Sequence, residues 1–507
     1  MTRTVFAGVL LIAVYLATAI GSMPAFLTFN FGQVSFEQVL FFLTTEDGTM
    51  GTDRLVLLSA LEMLIVKPLA VAIGVTLIAW LIGLAGAQYT RRTETQRTKL
   101  HANPDSLSCP QSKPLASRLL PRFALMVLMM LPFVSAYSTL DKLGGVAFFA
   151  KHDGPDQFAK LYVNPPATLE TSLAAPRNLI LLYVESLETT FSDPDYFAVD
   201  LNAPLSKAFD RKPMGIKEMA GTNWTTAGMV ASQCAVPLAT FIWNKAEFKP
   251  GAMLGNARCL GDYLSALGYS QHFLVGPELK FSGMDKFYRN HGYQHTVGKQ
   301  ELLEAGMPAD KLTGWGGSIN DDTLLELALD QILALHADFE RGGKPFNVTV
   351  ITTDNHAPDG YLSPRCPASD LEPSFARVIE CTNRFVASFY EQLEAAGVLK
   401  DTVLVVMGDH LFMNNPEQDH YLPARENRRV YFNYRSPGGE VCGSVASEMT
   451  HFDVAPTVLA LLTGSQIRRM GVGDNLCQPV DITVKRARNA ILEDDIASHS
   501  NAYRSLW

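Results

Sequence analysis

Apolar residues run without a charge through positions 4–22 and 68–87, and again through 119–140 apart from Pro121, Arg122 and Pro132. As a helix, residues 4–22 would cover roughly 28 Å, enough to cross the hydrocarbon core of a bilayer. Alone, that segment also suits a cleaved signal peptide; the two later runs decide against this and predict three transmembrane helices. Between the first two, Phe-Glu-Gln-Val-Leu-Phe-Phe-Leu at 36–43 predicts a helix that either rests on the membrane surface or packs against a soluble domain. Residues 141–176 are largely polar, end in Asn-Pro-Pro and Ala-Ala-Pro, and read as a connector.

From residue 178 the pattern changes to short apolar runs alternating with longer helical stretches, which predicts an α/β domain. Strands are expected at 179–184, 346–351 and 402–407, with weaker candidates at 272–275 and 430–434. The first ends in Glu185, the second in Thr-Thr-Asp-Asn-His356, the third in Gly-Asp409-His410. Ligands in open α/β sheets bind beyond the carboxyl ends of the strands, so these residues are expected to converge on one edge. A polar turn at Gly221, Thr222 and Asn223 then leads into a small-residue helix start at Thr225-Thr226. Thr225 there either caps the helix or stands where an anion docks on free backbone N–H groups.

Charge fixes the expected orientation. The loop 88–118 holds Arg91, Arg92, Arg97, Lys99, Lys113 and Arg118, whereas 23–66 holds only Arg54, so the basic loop and Arg3 belong in the cytoplasm and everything after about residue 141 is exported. A net charge of -9 gives no basic footprint for nucleic acid. Of the seven cysteines, Cys109 lies in the predicted cytoplasmic loop and six lie in the exported part. The set Cys234 with Cys259, Cys366 with Cys381 and Cys442 with Cys477 closes the smallest loops; six buried free thiols are the alternative.

Glu185, the Thr225 hydroxyl, Asp409 and His410 together make a tetrahedral donor set for a divalent cation such as Zn²⁺ or Mn²⁺. A cation on the Thr225 oxygen would favour the alkoxide and make threonine a nucleophile. Singly, each residue reads equally well as a turn acid or a hydrogen-bonded histidine.

The stretches Asn178-Leu-Ile-Leu-Leu-Tyr-Val-Glu185-Ser-Leu-Glu, Gly221-Thr-x-x-Thr225-x-Ala-Gly-Met-Val-Ala-Ser-Gln-Cys234, Asn355-His356-x-Pro-Asp-Gly360 and Asp409-His410-x-x-Met-Asn-Asn415 resemble the phosphoglycerol transferase I family, which decorates osmoregulated periplasmic glucans. That family stands with lipoteichoic acid synthases and sulfatases in the alkaline phosphatase superfamily. The resemblance spans roughly residues 177–465. It implies a sulfatase-like domain with a mainly parallel central sheet flanked by helices, Thr225 as nucleophile, and Glu185, Asp409 and His410 as companions on one metal ion, Mn²⁺ or Zn²⁺. It implies substrate binding by His356 and strengthens two of the disulfides, 234–259 and 366–381. Lipoteichoic acid synthases grip phosphoglycerol with a Trp and an Arg near the position of residues 281–285; here the stretch reads Lys-Phe-Ser-Gly-Met-Asp. Lys280 and Trp315 are the candidate replacements. His420 follows His410 at a spacing reminiscent of an extra ligand in phosphoethanolamine transferases, and is read here as a polar loop residue.

The organisation expected is therefore a membrane domain at 1–140, a connector at 141–176, a periplasmic catalytic domain at 177–480 and a C-terminal tail at 481–507. The resemblance further implies an inner-membrane enzyme that moves phosphoglycerol from phosphatidylglycerol to a periplasmic glucan through a covalent threonine intermediate. The alternatives are a phosphoethanolamine transferase with the same nucleophile and metal, and a catalytically silent membrane-anchored sensor or glucan-binding protein.

Overall fold

The computed structural model describes residues 3–32, 34–44, 54–100, 115–150, 155–173, 175–239, 253–443, 445–494 and 496–507, with side chains excluded at 3, 42–44, 54–55, 90–91, 94–100 and 115–124. Cys109 and the basic loop around it lie outside the described residues. The chain divides into two compact units, one drawn from residues up to 150 and the other from residue 151 onward together with 31–33 and 37–53.

The first unit is helical. Among the described residues two helices are long and apolar enough to cross a membrane, Thr4–Phe31 and Val56–Tyr89. The third expected span falls on the helix Leu115–Lys142, whose first ten side chains are not described. Several hydroxyls in these helices bond to backbone carbonyls, as apolar surroundings favour: Thr18 donates to the Val14 carbonyl at 2.7 Å, Ser22 to Thr18 at 2.8 Å, and Thr139 to Ile20 on the first helix at 2.9 Å, whereas the Thr76 hydroxyl is buried with no partner.

The second unit is built on a seven-stranded sheet: β1 (Asn178–Val184), β2 (Met214–Ile216), β3 (Ser270–Val275), β4 (His295–Val297), β5 (Phe346–Ile351), β6 (Thr402–Gly408) and β7 (Val430–Arg435). Their spatial order is β2-β7-β6-β1-β5-β3-β4, parallel except where β7 runs against both β6 and β2. This is the expected mainly parallel α/β sheet flanked by helices. The three central strands are buried along their whole length, so every residue can be apolar, and that is why they read as unbroken runs rather than as alternation. β2 and β4, three residues each, leave no such trace and were not expected. A two-stranded hairpin at Arg469–Met470 and Gly473–Asp474 was not expected either.

All three short-range disulfides are present, 234–259, 366–381 and 442–477. The helix expected near 36–43 forms over Phe36–Thr44. Phe41 on it is buried, its ring 4.9 Å from that of Trp224, so that side chain packs within the second unit. Residues 481–507 fold into the same unit: the helix Ile482–Leu492 buries Lys485, and Tyr503 is fully buried with its hydroxyl donating to Pro237 at 2.7 Å.

Candidate active site

β1 lies between β5 and β6 with Val184 opposite Gly408 and Tyr183 opposite Ile351, so the residues that follow each strand emerge side by side. Glu185 is tied to β5 by its N–H, which donates to Thr352 Oγ1 at 3.1 Å. Ser186 takes a left-handed backbone, φ 56°, and this turns its N–H onto Asp409 Oδ1 at 2.8 Å and its hydroxyl onto Glu185 Oε1 at 2.8 Å. Asp409 Oδ1 also accepts from the His410 N–H at 2.9 Å, while Asp409 Oδ2 is buried with no hydrogen-bond partner. His410 donates through Nδ1 to the Leu411 carbonyl at 2.8 Å, which turns Nε2 toward the two carboxylates and would make it the ligand nitrogen were a cation to displace its proton. That nitrogen lies 3.3 Å from Glu185 Oε1 and 3.3 Å from Asp409 Oδ2.

The fourth expected member sits against these three. Thr225 opens the helix Thr225–Cys234, with its Oγ1 3.3 Å from His410 Nε2 and 3.5 Å from Glu185 Oε2. The hydroxyl does not cap the helix: the capping position is Trp224, which supplies no side-chain acceptor. Trp224 and Thr226 on either side are buried, whereas Thr225 is half-buried and reachable. The Thr226 hydroxyl is turned inward and has no partner.

The cluster is electrostatically tight. Burial and the Glu185 charge push the Asp409 carboxyl up to about 7. Burial would also raise Glu185, but the His410 charge and hydrogen bond outweigh it and bring Glu185 to about 2. Burial opposes charge on His410, and the two carboxylates overcome this and raise it to about 10. Two carboxylates and an imidazole whose ligand atoms all lie within 4.8 Å, one oxygen of them orphaned, have the donor chemistry of a divalent-cation site.

His356 follows β5 and donates through Nδ1 to the Ala357 carbonyl at 2.9 Å. Its ring stacks on Trp315 with centroids 4.5 Å apart, and Trp315 meets Phe281 edge-on at 4.9 Å. Lys280, one residue before Phe281, is exposed. The structure thus gathers Trp315, Phe281 and His356 into one wall with Lys280 next in the chain. His420 is exposed and lies against Tyr421, ring centroids 3.8 Å apart.

Several supporting residues escaped the sequence reading. Arg428, buried, donates to both carboxylate oxygens of Glu188 at 2.8–3.1 Å, to the Phe412 carbonyl at 2.7 Å and to Asn414 Oδ1 at 2.7 Å, joining the loops that follow β1 and β6. Glu218 accepts from the Leu411 N–H at 3.0 Å and from Arg425. Asp321 and Asp354 cap each other's backbone, Asp321 accepting from the N–H groups of Thr353 and Asp354, and Asp354 from that of Asp321. This fixes the start of the His356 turn. Burial pushes both carboxyls up, Asp354 to about 7, with the charge of Asp354 adding to the effect on Asp321. Glu188 and Asn414 stand inside the quoted motifs and so could have been singled out; Arg428 and Glu218 have no local signal.

Residues 235–465, which carry β3 to β7 of this sheet and the Asp409-His410 turn, match the family model described as Sulfatase. Glu185 and Thr225 precede the matched stretch. Over 330 residues the chain is 33% identical to phosphoglycerol transferase I of Escherichia coli O127:H6 and to phosphoglycerol transferase I of Salmonella arizonae, covering 63% of this chain and 41% of each relative. The chain thus spans about two fifths of the length of these curated relatives, and the resemblance to phosphoglycerol transferase I holds over that part. The crystal structure of the lipoteichoic acid synthase LtaP from Listeria monocytogenes superimposes with a TM-score of 0.50 at 15% identity, over 69% of this chain and 97% of that one, which supports the fold.

Proposed function

We propose that this chain is a membrane-anchored transferase that takes phosphoglycerol from phosphatidylglycerol onto Thr225, releases diacylglycerol, and passes the group to a hydroxyl of a periplasmic glucan. The observation that carries this reading is the position of the Thr225 oxygen, reachable from outside and 3.3–3.5 Å from His410 and Glu185. The likeness to phosphoglycerol transferase I supports the choice of group.

A divalent cation, Mn²⁺ or Zn²⁺, bound by Glu185, Asp409, His410 and the Thr225 oxygen would lower the proton affinity of the hydroxyl and polarise the phosphoryl group. Thr225 Oγ1 then forms a bond to phosphorus as the bond from phosphorus to the diacylglycerol oxygen breaks; the threonine gives up a proton and diacylglycerol gains one. The first N–H groups of Thr225–Cys234 face the phosphoryl oxygens, since no side chain caps them. His356, held by Ala357 and by the Trp315 ring, contacts the glycerol head group, with Trp315 as its wall and Lys280 available to the remaining negative charge. In the second half a glucan hydroxyl displaces the threonine oxygen, and the proton it loses returns to Thr225. The apolar helices Thr4–Phe31 and Val56–Tyr89 fit a lipid donor, and the oxidised cysteines fit an exported catalytic unit.

Intact-protein mass spectrometry after incubation with phosphatidylglycerol and no acceptor should find phosphoglycerol on Thr225, discharged by adding periplasmic glucan. A phosphoethanolamine adduct from phosphatidylethanolamine, with no reaction toward phosphatidylglycerol, would assign the chain to phosphoethanolamine transfer instead.

A further inference from the structure

His451 opens the short turn His451–Asp453 and is completely buried. Its Nε2–H donates to the backbone carbonyl of Asp409 at 2.8 Å, and its Nδ1 is buried with no partner. A buried polar atom left unpaired is costly, so an apolar ring would suit this site better were it not for the one bond that histidine makes. The acceptor is the peptide from which two of the three cation ligands project. The same oxygen also faces Gly228, one turn along the helix from Thr225, at a distance that excludes any side chain there. The Asp409 carbonyl is therefore gripped on one side by the helix that carries the nucleophile and on the other by His451.

The turn behind His451 is itself anchored. Asp453 Oδ2 accepts from the Thr450 N–H at 2.7 Å and its hydroxyl at 3.1 Å. Lys485, buried on Ile482–Leu492, donates to both Asp453 oxygens at 2.8 Å and to Asp474 at 3.2 Å. A charge-paired lysine and a capped turn leave the imidazole little freedom to drift.

We propose that His451 is a positioning residue of the cation site, its Nε2–H···O=C bond to Asp409 setting the spacing between the Asp409 and His410 ligand atoms and the Thr225 oxygen. This rests on the reading of Glu185, Asp409 and His410 as cation ligands. His451→Phe keeps the ring volume and removes the donor. His451→Gln can place an amide N–H near the Nε2 position, and His451→Asn is too short to reach Asp409.

The test is isothermal titration of the full chain in detergent with Mn²⁺ or Zn²⁺ alone, beside thermal unfolding and transfer kinetics. His451→Phe should bind the cation roughly 10- to 100-fold more weakly, the range known for partners that orient metal ligands, and lose kcat with little change in KM for the lipid. His451→Gln should recover most of that loss, and His451→Asn should not. Should the phenylalanine variant fail to fold, the contrast between Gln and Asn carries the same information. Wild-type affinity in folded His451→Phe or His451→Asn, or a Gln variant no better than these, overturns the proposal. A wild-type chain that binds neither cation overturns the cation-site reading itself, and this inference with it.

Discussion

Gly228 and the Asp409 carbonyl are in direct contact: a methyl group placed on Gly228 would sit 1.9 Å from that oxygen. The neighbour is backbone and cannot swing aside, so Gly228→Ala has to push the helix Thr225–Cys234 away from β6. The expected outcome is a destabilisation of about 1–3 kcal/mol by denaturant titration. Turnover should fall more than stability does, because a shift of about an ångström at the nucleophile is enough to cost roughly a hundredfold. A Gly228→Ala protein with wild-type turnover would show that the Thr225 spacing tolerates more than the packing allows.

Thr225 and Thr226 are adjacent and chemically identical, yet one hydroxyl faces His410 and the other is buried without a partner. Thr225→Ala should reduce turnover by at least about a thousandfold while leaving the unfolding midpoint nearly unchanged. Thr226→Val removes an unsatisfied buried hydroxyl at nearly constant volume, so it should be neutral or stabilising and remain active. Equal losses from both substitutions would contradict the assignment.

The Glu188–Arg428 pair is closed to solvent on both sides, with side chains 0% and 2% exposed. Arg428→Met strands a buried carboxylate and is expected to cost about 3–5 kcal/mol. Adding Glu188→Gln should recover part of that cost, since the neutral amide no longer needs a counter-charge. Stability is read by chemical denaturation. Activity should recover less, because Arg428 also holds Phe412 and Asn414 beside the catalytic loop.

His272, on β3 and away from the catalytic cluster, is depressed to about 4 by burial and by the neighbouring His295 charge. It lies between Ser270, Gln331 and the stacked His295 ring. In the unfolded chain a histidine takes up its proton near 6.5, whereas here it does so only near 4, so between those values the unfolded state binds more protons and stability falls as the pH is lowered. Below about 4 the loss is complete, and it amounts to roughly 3 kcal/mol at most. His451, shifted the same way by burial, adds its own share in the same window. Asp321, Asp354 and Asp409 are shifted upward and act in the opposite sense over the same window, so the His272 share is read as a difference: relative to His272→Gln, the wild-type thermal midpoint should fall between pH 6.5 and 4.

Much of the centre was legible in the sequence because the strands that build it are buried on both faces. Residues 178–184, 346–351 and 402–408 contain little but apolar and β-branched residues, and Glu185 and Asp409 stand out as the first acids after such runs. The edge strands Met214–Ile216 and His295–Val297 are too short for a period to show. Arg428, Glu218 and His451 act through residues tens to hundreds of positions away, and nothing beside them in the chain marks that role. Gly228 lay in a quoted motif, but its reason, close approach of another backbone, exists only in three dimensions.

The buried Lys485 and Tyr503 also impose an order in time. Lys485 steadies the turn behind Asp409, and Tyr503 closes on Pro237 and Ala239, just beyond the helix that begins with Thr225. Both residues leave the ribosome after every side chain of the catalytic cluster. A nascent chain can thus hold Glu185, Thr225, Asp409 and His410 all at once and still lack the clamp that squares them to one another. The contacts that brace the cluster are thus completed only by Lys485 and Tyr503, 75 and 93 positions beyond His410.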